Sequence, residues 1–89
     1  MESLEKIKTE KLRETVIQGI ERYTEIVIVQ YKESYKGVST YIVTSDLVRD
    51  GTYCDVLKHY ATSNREKSDR YFSMLESGYS KERIISKIF

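Results

Sequence analysis

Asp50-Gly51-Thr52-Tyr53-Cys54-Asp55-Val56-Leu57-Lys58-His59-Tyr60-Ala61-Thr62 can be folded in two ways, and the choice decides how much of this chain is sheet. In the first, Asp50-Gly51 breaks the chain and Thr52 with Asp55 forms a capping box opening a helix over about 52–62, whose buried set is Tyr53, Val56, Leu57, Tyr60 and Ala61. In the second, Asp50-Gly51 is a hairpin turn and 52–58 is a strand. Strict alternation would then place Asp55 on the same face as Tyr53 and Leu57, so the helical period fits better.

Downstream, Ser63 and Glu66 repeat the capping-box spacing and open a further helix with an apolar stripe of Tyr71, Phe72 and Leu75. Gly78 marks its end, and Ser80 caps a last helix, 80–89, carrying Ile84, Ile85, Ile88 and Phe89. Helix, glycine turn and second helix reproduce a helix-turn-helix outline. In that reading Lys81, Arg83 and Lys87 face phosphates or base edges while Arg65, Lys67 and Arg70 add backbone contacts, with six basic residues against four acidic ones over 64–89. A plain helical hairpin has the same punctuation, and Met74 stands where DNA-binding versions carry a small alanine.

Upstream, Ile26-Val27-Ile28-Val29-Gln30-Tyr31 is a β-branched run that crowds a helix and fits a strand. Val38 to Val43 is again β-rich, and Lys36-Gly37 between the two runs supplies a hairpin turn. Under that register Val27, Val29, Tyr31, Tyr35, Val38 and Ile42 share one face, and Ile26, Ile28, Lys32, Ser39, Tyr41 and Val43 the other. Further upstream, Leu4, Ile7, Leu12, Val16, Ile20 and Tyr23 recur at mostly three- and four-residue steps among lysine, arginine and glutamate, which predicts an amphipathic helix over about 3–23. The expected fold is therefore α+β, a single domain over 1–89 in the order α-β-β-α-α-α: N-terminal helix, β-hairpin and three short C-terminal helices.

Composition narrows the function classes. The 89 residues permit one core, and the formal net charge of +1 supplies no global field toward nucleic acid or an anionic membrane. No apolar run approaches the ~20 residues of a membrane-spanning helix, and the charged start lacks the apolar core of a secretory signal, so a cytoplasmic protein is expected. The single cysteine, Cys54, excludes an intrachain disulfide, and with the single histidine, His59, it falls short of a zinc ligand set. On a helix these two lie about 140° apart around the axis and form no dyad. Glu10 with Glu14, and Glu66 with Asp69, read as solvated salt-bridge faces. The four glycines are scattered and make no phosphate loop. No enzyme, cofactor or metal is expected.

Eight tyrosines dominate the aromatic content, and tyrosine suits contact surfaces because a rigid apolar ring carries a polar tip. Tyr31, Tyr35 and Tyr41 cluster near the hairpin turn. Two strands alone leave two open edges. The leading expectation is a small regulatory or inhibitory protein-binding module acting through that hairpin, with another protein or a second copy of itself as a homodimer at the hairpin edge. Its size and composition fit the inhibitors of host enzymes that viruses and mobile elements carry. The alternative is a DNA- or RNA-binding regulator using residues 64–89.

Overall fold

The computed structural model describes residues 6–19, 21 and 23–88, with side chains as far as Lys81. The elements in chain order are β1 (Lys8–Gln18), β2 (Thr24–Tyr35), β3 (Val38–Arg49), β4 (Thr52–Thr62) and α1 (Arg65–Ile88). The strands form one antiparallel sheet in the order β1-β2-β3-β4. This β-β-β-β-α arrangement corrects the expected α-β-β-α-α-α order: residues 8–18 and 52–62 are strands, and the helices expected to either side of Gly78 are one helix.

The central hairpin follows from its residues. β2 and β3 pair without interruption from Thr24↔Arg49 to Tyr35↔Val38, the two face sets expected from alternation. Lys36 and Gly37 both take positive φ, 49° and 77°, the geometry of a two-residue turn whose twist matches the strands. Asp50 and Gly51 do the same at 52° and 80°, so the capping-box reading of Thr52 and Asp55 fails and β4 follows directly.

β1 and β4 escape a period-two reading because each is bulged. Leu12 is the extra residue in β1, between the pairs Lys11↔Tyr31 and Arg13↔Gln30. In β4 the extra residues are Cys54, between Tyr53↔Val48 and Asp55↔Leu47, and Leu57, between Val56↔Asp46 and Lys58↔Ser45. A bulge moves the residues beyond it to the other face. The bulge at Cys54 therefore separates Tyr53 from Asp55, removing the clash of faces that argued against a strand. Because both bulged strands are the outer ones, the sheet edges are also blunted against further pairing. The two hairpin strands are central and paired on both sides, so the expected free hairpin edge, and a homodimer through it, has no place in this topology.

α1 lies across one face of the sheet. Asn64, not Ser63, caps it: its Oδ1 accepts the Lys67 N–H at 3.0 Å, and its own N–H donates to Thr62 Oγ1 at 3.1 Å. Phe72 and Leu75 pack on Ile17, Ile28 and Val43, with Ile26, Tyr71 and Tyr79 closing the margins. Tyr60 of β4 stacks on Tyr71 with ring centroids 4.4 Å apart. Gly78 lies within the helix.

Candidate interaction surface on the open face of the sheet

The sheet has a second face, and no described element covers it. Four cross-strand rows lie on it: Lys11-Tyr31-Ile42-Ala61, Glu14-Val29-Thr44-His59, Val16-Val27-Asp46-Val56 and Gln18-Glu25-Val48-Tyr53. Val27, Val29 and Val48 form a small apolar cluster here with Tyr31 packed against it, buried although no helix overlies them. Around the cluster large apolar groups face solvent: Val16 is 48 %, Val56 61 % and Tyr53 68 % exposed, and Tyr35 and Val38 extend the patch to the hairpin end. Most of the exposed large apolar side chains of the described residues thus lie on this one face, a concentration that marks contact surfaces.

Two polar groups on the face, Asp46 and Tyr31, are partly desolvated. Asp46 stands between Val27 and Val56 in its row, and its carboxyl pKa is raised above the ordinary 3.8 by burial. That carboxylate makes no hydrogen bond or ion pair to a described residue. The Tyr31 phenol is also raised above its ordinary 10.0, first by burial and then by the charges of Tyr53, Asp46 and Glu14. Glu14 has a long ion pair with Lys11 at 3.8 Å, both partly exposed.

The helix-covered face is occupied by internal contacts. Gln30, almost wholly buried, accepts from Arg13 Nε at 2.7 Å and donates to Ser68 Oγ and Asp69 Oδ1, each at 2.8 Å. The Arg13 guanidinium also lies 4.1 Å from the centre of the Phe72 ring. Thr15 donates to Glu76 at 2.8 Å, and Ser45 and Tyr79 share a hydrogen bond of 3.0 Å. These bonds fix α1 against β1, β2 and β3. A recess of about 590 Å³ between α1 and β1 is lined by Arg13, Arg65 and Arg70, but Asp69 takes ion pairs from both Arg13 and Arg65.

The structure divides the three hairpin tyrosines. Tyr31 and Tyr35 share the open face, whereas Tyr41 lies on the helix side with Arg65 5.9 Å from its ring centre. Tyr53, Val16 and Val56 complete the open face; reading 8–18 and 52–62 as helices hid them. Arg65, Lys67, Arg70 and Lys81 lie on a single continuous helix, so the recognition helix set off by a turn at Gly78 does not exist. The side chains of Arg83 and Lys87 fall outside the described residues. His59 is on the open face, while Cys54 is an exposed bulge residue whose thiol points at the Thr52 carbonyl 3.4 Å away. Among the described residues no three His, Cys, Asp or Glu side chains are grouped to hold a metal ion. No described helix is long and apolar enough to cross a membrane. Comparison with protein-family models, with curated proteins and with solved structures finds no match to this chain.

Proposed function

We propose that the chain is a non-enzymatic regulatory or inhibitory module that binds a protein through the open face of its sheet. The observation that carries this reading is the concentration of exposed Val16, Tyr35, Val38, Tyr53 and Val56 around the uncovered Val27-Val29-Val48 cluster. A protein suits the face better than a nucleic acid. Four carboxylates, those of Glu14, Glu25, Glu33 and Asp46, stand there against the ammonium groups of Lys11 and of Lys36, which lies 5.3 Å over the Tyr35 ring, and that acidic balance repels phosphate. Tyrosines with apolar bodies and polar tips are the side chains that anchor protein contacts. The basic residues of α1 face the opposite problem, since the helix-turn-helix arrangement that would present them is gone.

The experiment places a photo-crosslinking amino acid at position 53 on the open face, and in a separate chain at position 67 on α1, in the cells that naturally make the protein. Defined crosslinked products from position 53 but not 67, weakened by Tyr31→Ala or Tyr35→Ala, support the reading. Equal labelling from both positions, or products indifferent to both tyrosines, refutes it.

A further inference from the structure

The recess between α1 and β1 holds more positive charge than its own carboxylate balances. Arg13, Arg65 and Arg70 line it with Asp69, so three guanidinium groups stand against one carboxylate. Asp69 is heavily shared: Gln30 donates to its Oδ1 at 2.8 Å, while Arg13 and Arg65 reach the same oxygen only at 3.4 and 3.9 Å. Ion pairs that long between half-exposed side chains are screened by water and fix little. Arg70 makes no hydrogen bond or ion pair to a described residue, Glu66 one turn before it included.

The walls are rigid, and their remaining polar groups are donors. Arg13 is aimed in advance: its Nε donates to Gln30 at 2.7 Å and its guanidinium lies 4.1 Å from the centre of the Phe72 ring. Its Nη1 has no acceptor among the described residues. Its Nη2 is 3.3 Å from the Asp69 carbonyl, on the peptide that joins Asp69 to Arg70, which brings both arginines within reach of one anion. The bulge at Leu12 contributes, because Leu12 and Arg13, neighbours in sequence, both line the recess where regular alternation would send one of them to the open face. Along α1, Asp69, Ser73 and Ser77 follow at four-residue steps with Arg70 and Met74 beside them, so this wall is one stripe of the helix. Neither the Ser73 nor the Ser77 hydroxyl has a partner among the described residues. Met74, 58 % exposed, and Leu12 add apolar surface.

We propose that this recess binds a small phosphate monoester with an apolar body, its phosphate held between Arg13 of β1 and Arg70 of α1 and its body against Met74 and Leu12. A phosphate monoester carries close to two negative charges at neutral pH, which matches the surplus of three guanidinium groups over one carboxylate. The planar forks of arginine suit its oxygens, and the serine hydroxyls can donate to them as well. The volume of about 590 Å³ is that of small-molecule sites and exceeds what a bare phosphate fills, which is why the ligand has a body. The recess lies on the opposite side of the sheet from the open face, so the inference is independent of the protein contact proposed there.

Titration of the chain with phenyl phosphate, inorganic phosphate and phenol, followed by ¹H–¹⁵N NMR that includes the arginine Nε–H signals, tests the inference. Phenyl phosphate should shift the Arg13 Nε–H and the amides of Arg70, Ser73 and Ser77 saturably and more tightly than inorganic phosphate, and phenol should shift none of them. Arg70→Ala should weaken phenyl phosphate at least about tenfold, the loss of one hydrogen bond to a charged group. Lys67→Ala removes the same charge from α1 outside the recess and should change the affinity less than about twofold. Because the ligand bridges β1 and α1, saturating phenyl phosphate should also raise the unfolding temperature of the wild type more than that of Arg70→Ala. No saturable shift at millimolar phenyl phosphate overturns the site. Equal weakening by Arg70→Ala and Lys67→Ala overturns it too, as a general effect of charge. So does phenyl phosphate binding no tighter than inorganic phosphate, since Met74 and Leu12 then hold nothing.

Discussion

Asp46 shows how one side chain reports on the surface around it. Burial raises its carboxyl pKa above 3.8, so between 3.8 and that raised value the folded chain holds a proton that the unfolded chain has lost. Stability contributed through this group therefore rises as pH falls through the folded pKa and is lost as pH rises through it. Asp46→Asn removes the ionisation: the variant should be more stable than wild type at neutral pH, and the advantage should vanish below pH 3.8. Urea unfolding of both proteins across acidic and neutral pH checks this, and an advantage independent of pH would contradict it. Gln30 is the counterpart on the covered face, where its amide oxygen and both amide hydrogens are bonded. Gln30→Ala strands the buried Ser68 hydroxyl and frees the Arg13 guanidinium, and should cost about 2 kcal/mol in urea unfolding.

Among the elements, α1 gives the sharpest contrast between what sequence punctuation suggests and what packing selects. A Cβ built on Gly78 meets nothing within 4 Å, and the residue lies inside a continuous helix. Gly78→Ala should raise stability by about 0.5–1 kcal/mol in thermal or chemical unfolding. Were Gly78 the left-handed residue of a turn between two helices, the same change would destabilise, so the sign alone separates the two. Asn64→Ala removes the cap and should cost about 1 kcal/mol, with Asn64→Asp retaining most of it. The β2–β3 hairpin was legible because nothing interrupts its alternation and Lys36-Gly37 suits its turn; the residues on each of its faces follow directly. β1 and β4 were not, for a physical reason. One bulge at Leu12 and two at Cys54 and Leu57 shift the alternation, and what remains, as in Tyr53, Val56 and Tyr60, imitates helical spacing. Tyr53 and Val56 in fact lie on the open face and Tyr60 under α1. The open face was legible in part for the same reason: Tyr31 and Tyr35 ride on the uninterrupted hairpin, whereas Val16, Tyr53 and Val56 sit on the bulged strands.

The molecule as a whole is a slab, 61 × 28 × 15 Å between Cα extremes, with a radius of gyration of 15.7 Å where a compact chain of this length has about 12 Å. A slab one sheet and one helix thick cannot bury both sides of its sheet, which is the origin of the open face. Its dimensions also make the mode of assembly measurable without a high-resolution structure. A partner of similar thickness seated on the open face about 10 Å away would take the 15 Å dimension to about 40 Å while the 28 Å width stays nearly constant. Pairing through the β1 or β4 edge would instead leave the thickness near 15 Å and roughly double the width. Small-angle scattering of the complex distinguishes these shapes through its cross-section. Binding through the open face should give the thicker cross-section, and Val16→Glu should restore the thin slab. A complex that keeps the thin cross-section would place the contact at an edge, with Val16, Tyr53 and Val56 still facing water.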